Sequence, residues 1–291
     1  MDAGGDVAAK VQNGTMSLLQ VAIVCWSFQL STNDRCVVFH HTTAPPHHRT
    51  TAPPHHRTTA PPRHPLTCPP TPVSIHESVL RLLIARGVPI DASSPIERDE
   101  DGDLDGGNTA LHHAAQERHT VAIRILLEAG ADPNRKTARQ ATPLIMLCSE
   151  RLPDTACRTQ SDATDATVAG MLCDAGADTE VVDDNGYTAL ACAAKEGHAP
   201  LITTLINRGA RADVTAPPGS GMTPLHWCVY NAAQSGAGLA ALGAAVRDLV
   251  SAGAPVSQRA SSMSNLTPLA AAKRNCPGLL PFFREGLRAK S

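Results

Sequence analysis

The segments GNTALHHAAQERHTVAIRILLEAGADPN (residues 107–134) and DDNGYTALACAAKEGHAPLITTLINRGA (residues 183–210) repeat one pattern and decide the fold. Each contains a Thr-Ala-Leu start, a pair of alanines, an apolar run and a glycine, in that order. Thr109 and Gly130 are 21 residues apart, and 12 residues separate Gly130 from the next threonine of the series, Thr142. The two spacings give a unit of 33 residues, and the chain is an array of such units.

The recurring residues are those that a pair of antiparallel helices needs. A threonine caps a helix N-terminus through its hydroxyl, and a proline suits the first helical turn, where the N–H has no partner within the helix. The paired alanines let a second helix approach closely, and a glycine ends that second helix in the left-handed conformation. Each unit buries its apolar face only by stacking on a neighbour, so the pattern predicts an all-α solenoid. The threonines are Thr109, Thr142, Thr188, Thr223 and Thr267, and the glycines are Gly87, Gly130, Gly176, Gly209 and Gly253.

The two quoted segments resemble ankyrin repeats, because many positions recur in phase across several units. The resemblance implies an ankyrin-repeat solenoid of about six helix-turn-helix units. It also implies a monomeric interaction module or scaffold that binds protein partners through a concave face made of turn tips and first helices. His112 and His226 stand at the His position of Thr-x-Leu-His. The resemblance gives these rings a structural role, in which they hydrogen-bond neighbouring backbone.

The same phase sets the boundaries of the units. Upstream, Met16 takes the threonine position and Leu18 the leucine position of a degenerate first unit, whose second helix ends at Gly87. Because Gly4 falls at a helix-terminating position, the chain begins in mid-unit, and we also consider a fragment of a larger ankyrin-containing adaptor or regulatory subunit. The expected units are the end of a truncated repeat (1–10), a degenerate repeat (11–103) with a low-complexity insert (about 31–77) and an acidic loop (92–103), and repeats at 104–136, 137–182, 183–217 and 218–261. An irregular C-terminal capping repeat (262–291), with Gly286 at the glycine position, follows them. The repeats at 137–182 and 218–261 contain insertions, the first across residues 153–167, and we expect these insertions to form loops.

The insert in the first unit has low complexity: TTAPPHHR occurs at 42–49 and again at 50–57. Proline pairs every eight residues exclude helix and sheet, and the tract has almost nothing to bury. We therefore expect residues 40–74 to be disordered and dispensable for stability. Near-perfect short repeats also fit a translated repetitive DNA element, and the sequence leaves both interpretations open.

Composition excludes several classes of protein. The formal net charge of −2 is incompatible with a chain organised as a whole to bind nucleic acid through its phosphates. The most apolar run, Met16–Leu30, is 15 residues long, against about 20 for a membrane-spanning helix. Nine cysteines without a Cys-x-x-Cys pair indicate free thiols in a reducing compartment. We expect an intracellular protein, in the cytoplasm or alternatively in the nucleus.

Two motifs could carry metal chemistry, and neither meets the requirements of a site. Asp101, Asp103 and Asp105 match the first half of a calcium loop, but His112 stands where the bidentate glutamate is required. The histidines between residues 40 and 64 lie in a tract that lacks the fixed ligand geometry of a physiological metal site. The sequence contains no nucleophile elbow and no phosphate-binding loop. We therefore expect no enzyme, no cofactor and no metal, and a metal- or calcium-binding protein is the less favoured alternative.

The resemblance implies that exposed positions of each unit contact the partner, at the turn tip before the threonine and just after the alanine pair. The alternative is that many of these residues are solvated helix faces. The candidates are Asn108, Gln116, Glu117, Arg139, Ser149, Glu150, Tyr187, Lys195, Glu196, Met222, Tyr230 and Asn231. We expect Tyr187, Lys195, Met222 and Tyr230 to form one patch, because exposed apolar clusters mark contact sites. The alternative for Tyr230 is burial beneath the insertion of its own unit.

Overall fold

The structure is a computed structural model and describes residues 17–23, 72–98, 104–149, 158–235 and 239–289. Residues 18–23 are helical. The helices that follow are α1 (Pro72–Ala85), α2 (Ala110–Gln116), α3 (Thr120–Glu128), α4 (Pro143–Ser149), α5 (Arg158–Asp174), α6 (Ala189–Glu196), α7 (Ala199–Asn207), α8 (Pro224–Ser235), α9 (Leu239–Ser251), α10 (Pro268–Asn275) and α11 (Leu280–Ala289). Short 3-10 turns lie at Ser261–Met263 and Pro277–Leu279, and an antiparallel hairpin pairs β1 (Glu97–Arg98) with β2 (Leu104–Asp105).

The helices form two rows along the solenoid. The inner row consists of α2, α4, α6, α8 and α10, and each of these helices contacts the next one in the row. The outer row consists of α1, α3, α5, α7, α9 and α11, which contact one another in the same order. Each inner helix from α2 onward also packs against the outer helix that follows it. The all-α solenoid predicted from the repeats is therefore confirmed.

The residues that bound the helices act as predicted. The Thr188 hydroxyl accepts a hydrogen bond from the backbone N–H of Ala191 at 3.2 Å and caps α6. The helices α4, α8 and α10 begin at Pro143, Pro224 and Pro268. The glycines that follow the outer helices have φ angles from +78° to +100°, which favour glycine over residues with a Cβ. These glycines are Gly87, Gly130, Gly176, Gly209 and Gly253.

Small and aliphatic side chains fill the space between the two rows. Ala114, Ala115, Ala193 and Ala194 are all fully buried, as the close approach of the helices requires. Most of the large buried side chains are leucine or isoleucine, and Phe283 of α11 is the aromatic exception. In the part of the chain described, no helix has the length and the apolar character that crossing a membrane would need.

Insertions that the sequence analysis assigned to loops are partly helical. Within the expected loop at 153–167, the residues from 158 onward belong to α5, which is 17 residues long. The insertion of the fifth unit lengthens both of its helices, since α8 has 12 residues and α9 has 13, against 8 and 9 in α6 and α7. Extending an existing helix needs no new nucleation and satisfies the backbone hydrogen bonds of the added residues. At the two sides of the acidic stretch, Glu97–Arg98 and Leu104–Asp105 pair as the antiparallel strands β1 and β2.

The first unit is present, but its register differs by one residue from the predicted one. Leu18, expected at the buried leucine position, is 62% exposed, whereas Leu19 is fully buried. Ser17, and not Met16, holds the threonine position, because its backbone N–H donates to Gln20 Oε1 at 2.6 Å. The assignment of Met16 and Leu18 is therefore wrong by one residue.

In the first unit, Gln20 makes the hydrogen bond to the next unit that a histidine makes in the second unit. Its amide nitrogen donates to the backbone oxygen of Asn108, the residue before the next threonine. His112 contacts the equivalent oxygen, that of Ala141, through Nε2 at 3.2 Å. A glutamine can thus replace the histidine of the Thr-x-Leu-His motif.

The two ends of the array differ from expectation in smaller ways. Residues 72–74 belong to α1, although the sequence analysis placed them in a disordered tract. The predicted truncated repeat at 1–10 and residues 31–71 of the predicted insert lie outside the described residues. In the last unit, Gly286 does not end a helix, because α11 continues to Ala289. Gly286 is buried, and a Cβ there would lie 2.7 Å from the backbone oxygen of Arg247 in α9, so it permits close packing instead.

Candidate functional site

A groove of about 670 Å³ runs along the inner helices α2, α4 and α6 and the turns that precede them. Helix ends and turn tips contribute its walls, which carry both acidic and basic side chains. Seven of the twelve candidate residues line it: Asn108, Gln116, Arg139, Ser149, Tyr187, Lys195 and Glu196. The structure therefore brings most of the candidates of three consecutive units onto one concave surface.

The remaining candidates lie elsewhere. Glu117 is exposed on the helix end beside Gln116, and Glu150 lies outside the described residues. Met222 is only 4% exposed, and its backbone oxygen accepts a hydrogen bond from Ala216 at 2.8 Å. The expected contribution of Met222 to a surface patch is therefore wrong, because its side chain packs inside the unit.

Three aromatic rings lie next to one another across the boundary between the fourth and fifth units. We call Tyr187, Trp227 and Tyr230 the aromatic cluster. The ring centroids of Tyr187 and Trp227 are 6.2 Å apart, and those of Trp227 and Tyr230 are 6.0 Å apart in an edge-on arrangement. Lys195 Nζ lies 5.0 Å from the Tyr187 centroid, within the range of a cation–π contact. Tyr230 is 43% exposed, so its alternative placement in the core is wrong.

Trp227 is the member of the cluster that sequence reasoning missed. It stands four residues after the threonine of its unit, a position between the turn tip and the residues that follow the alanine pair. The equivalent residues His113, Met146 and Cys192 all line the groove. Comparing this column of residues between units would have identified Trp227, since three counterparts face the same surface.

The turn before α6 holds Tyr187 in place. Asp183 accepts hydrogen bonds from the backbone N–H groups of Tyr187 at 2.7 Å and Asn185 at 3.0 Å. Partial burial raises the pKa of Asp183, while these two hydrogen bonds act in the opposite direction. Gly186 has a φ of +76°, and a Cβ there would lie 2.5 Å from Pro218 in the next turn. Neighbouring turn tips therefore contact each other closely along the concave rim.

Asn231 has a structural contact that accounts for its position. Its side-chain amide donates to the backbone oxygens of Ala194 at 2.7 Å and Lys195 at 2.6 Å. These oxygens lie in the last turn of α6, where carbonyl groups have no partner within the helix. Asn231 thus connects two units, and this contact explains its position without a partner protein.

The buried titratable groups fit structural roles. Burial raises the pKa of Cys192 and of Cys228 to about 12 and raises that of Cys148, so these thiols stay protonated. All three are buried. Burial lowers the pKa of His112 to about 4 and also lowers that of His226. Among the described residues, no group of three or more His, Cys, Asp or Glu side chains could hold a metal ion.

Comparisons with known proteins agree with the geometry. The family model for the ankyrin repeat matches residues 106–138, and a model of three ankyrin repeats matches residues 155–242. The solved structure of an ankyrin repeat domain from Acinetobacter baumannii superposes on this chain with a TM-score of 0.55 and 24% identity. That similarity covers 74% of this chain and 93% of the bacterial one. The chain is an ankyrin repeat protein.

Two curated relatives show how this ankyrin repeat protein compares with longer chains. SH3 and multiple ankyrin repeat domains protein 2 of Homo sapiens is 34% identical over 126 residues, which cover 43% of this chain and 6% of the relative. Palmitoyltransferase AKR1 of Lachancea kluyveri is 34% identical over 135 residues, which cover 45% of this chain and 17% of the relative. The chain therefore spans less than a fifth of either relative, and the similarity concerns the repeats.

Proposed function

We propose that this ankyrin repeat protein is a binding module whose protein partner contacts the concave face over the groove and the aromatic cluster. The observation that carries the proposal is the aromatic cluster, in which Trp227 contacts a tyrosine ring on either side, next to the groove. Tyrosine and tryptophan supply large contact areas at a small cost in conformational entropy and are enriched among residues that dominate binding. The ankyrin fold, in general an interaction module, supports the same conclusion.

The geometry of the groove favours an extended partner segment or a loop. Its walls come from three successive units, so a partner that follows the groove contacts equivalent positions one after another. Arg139 and Lys195 offer cations, and Asp105 and Asp184 offer carboxylates, along the same rim. Such a surface provides paired polar contacts around an aromatic centre, as binding interfaces commonly do.

The second candidate function is that of one domain in a larger adaptor or regulatory protein. The relatives support it, since the residues that match this chain cover only 6% and 17% of their lengths. In both candidates the repeats bind and do not catalyse, and we propose no enzymatic activity for them. We also propose an intracellular location, cytoplasmic or nuclear, on the ground that the described cysteines are free thiols, four of them buried.

The double substitution Tyr187→Ala with Tyr230→Ala tests the proposed surface. We expect it to abolish partner capture from a lysate of the source cells, because it removes two of the three rings. Tyr230 is exposed and Tyr187 is half-buried, so the free energy of unfolding should fall by only about 1–2 kcal/mol. Quantitative mass spectrometry of the captured proteins measures the first effect, and urea unfolding measures the second.

The matched control is the pair Leu239→Ala with Leu287→Ala on the outer helices. These side chains are 37% and 44% exposed, close to Tyr230 at 43%, but they lie away from the groove. The control should capture the same partners as the parent chain. Undiminished capture by a folded Tyr187→Ala, Tyr230→Ala variant would refute the proposed surface.

A further inference from the structure

The first unit exposes apolar side chains at the N-terminal end of the solenoid. Leu18 is 62% exposed, Val79 of α1 is 45% exposed and Leu82 of α1 is 55% exposed. We call these three residues the apolar end. A repeat that terminates an array normally presents polar side chains outward, because apolar ones there promote association.

Equivalent positions in the later units show what normally covers such residues. Leu18 directly follows the residue at the threonine position, and its counterparts Ala110, Pro143, Ala189, Pro224 and Pro268 are all buried. Val79 stands eight residues before the glycine that ends its unit, and its counterparts Ala122, Val168, Leu201 and Ala245 are fully buried. In those units the preceding helix pair packs on this face. The apolar end is therefore a stacking face, and the described residues do not cover it.

We propose that residues 24–39 of this chain pack against the apolar end and take the place of a preceding repeat. This segment, VCWSFQLSTNDRCVVF, follows Ile23 of the helix at residues 18–23, and the chain returns to the same unit at Pro72. The segment is thus joined to the unit that carries the apolar end, directly at Ile23 and through residues 40–71 at Pro72. Residues 24–71 provide 48 residues between these two points, far more than crossing the face requires.

The composition of the segment fits an apolar occupant. It contains Trp26, Phe28 and Phe39, three of the eight aromatic residues of the chain. Valines and cysteines make up most of its other apolar positions, and Asp34 and Arg35 are its only charged residues. Aromatic side chains of this size contribute most to stability when they are removed from water. The proline-rich tract that begins after residue 40 has no comparable apolar content.

Fluorescence of Trp26 in the full chain tests the proposal. The chain has two tryptophans, so Trp227→Phe leaves Trp26 as the only indole. We expect the emission of Trp26 to be blue-shifted and protected from acrylamide. Adding Leu18→Glu and Leu82→Glu should shift the emission towards that of free indole and increase the quenching constant several-fold, since charged side chains oppose packing of an apolar segment.

Leu287→Glu is the matched control, because Leu287 is 44% exposed at the opposite end of the solenoid. It should leave both the emission and the quenching of Trp26 unchanged. Water-like emission of Trp26 in the Trp227→Phe chain would overturn the proposal. A dimer in light scattering that Leu82→Glu dissociates, with Trp26 exposed throughout, would show that a second copy covers the apolar end and would also overturn it.

Hydrogen exchange provides a measurement that keeps Trp227 intact. Trp26→Ala should increase the exchange of amides in the first unit, at residues 17–23 and 76–87, by about tenfold or more, because local opening there loses its cover. Amides of α10 and α11 should exchange as in the parent chain, since repeat contacts are local. Unchanged exchange in the first unit would contradict packing of this segment on the apolar end.

Discussion

Replacing Asp165 by alanine should lower the free energy of unfolding by about 3 kcal/mol or more, because it removes one partner of a buried ion pair. Asp165 of α5 is 1% exposed and accepts a hydrogen bond from Arg118 Nε at 2.6 Å. Arg118 lies in the turn between α2 and α3, and its side chain is only 15% exposed. Thermal unfolding should show a midpoint lower by about 6–12 °C.

The backbone of Arg118 provides the control for this prediction. Arg118 has a φ of +58°, and its counterpart in the fourth unit is Gly197 at +80°. Arg118→Gly alone should remain destabilising, since it leaves Asp165 buried without its cation. Arg118→Gly with Asp165→Leu should regain much of the loss, because the turn then holds a glycine and the inserted helix carries no buried charge. A change of less than 1 kcal/mol in Asp165→Ala would show that the pair does not anchor the inserted part of α5.

The free energy of unfolding should also fall as the pH drops from about 6.5 to about 4. Burial lowers the pKa of His112 from 6.5 to about 4, so in this range the unfolded chain binds a proton that the folded chain does not. The stability that neutral His112 allows is complete above pH 6.5, and about 3 kcal/mol of it is lost by pH 4. The lowered pKa of His226 adds to the loss in the same direction.

The hydrogen bonds of these rings explain why protonation is unfavourable. The N–H of Thr109 donates to His112 Nδ1 at 3.1 Å, and that of Thr223 donates to His226 Nδ1 at 3.1 Å. Each Nδ1 is therefore an acceptor, and each Nε2 carries the proton that points at a backbone oxygen of the next unit. A second proton on Nδ1 would face an N–H group and would also be buried.

The first unit supplies the variant that tests this explanation. Gln20 accepts from Ser17 and donates to the next unit with an uncharged side chain. His112→Gln with His226→Gln should therefore keep the stability of the parent chain at pH 7.5 and flatten its decline below pH 6.5, as urea unfolding at each pH would show. Parallel pH profiles for the two proteins would contradict the assignment, because acidic residues common to both contribute equally.

The repeated part of the fold could be predicted because the same residue types recur at the same positions in each unit. The threonine, proline and glycine positions fix helix starts and ends locally, and between Thr109 and Gly253 the structure follows them. The degenerate first unit was placed one residue out of register, because Ser17 and Gln20 replace Thr and His with residues of equivalent hydrogen bonding. In the helical part of the insertion at 153–167, Asp165 accepts a hydrogen bond from Arg118 of the preceding unit, a contact that no local pattern encodes.

The candidate site was predicted in outline and not in detail. The position of a residue within the 33-residue unit indicated which residues share a face, and seven candidates line one groove. That position does not determine how exposed a side chain is. Met222 is buried, whereas Tyr187 at the same position of the preceding unit is half-exposed. Trp227 was missed because its position is filled by small or medium residues in other units. Only the packing between units brings it between the two tyrosines.

Site-specific photocrosslinking tests most directly whether the concave face binds a protein. A benzophenone-bearing phenylalanine in place of Tyr230 keeps an aromatic ring at the cluster, and the same residue in place of Leu287 samples an equally exposed outer surface. After irradiation in a lysate of the source cells, the first protein should form a discrete covalent adduct with its partner, and the second should not. Absence of an adduct from position 230, or an equal adduct from position 287, would contradict the assignment of the concave face as the binding surface.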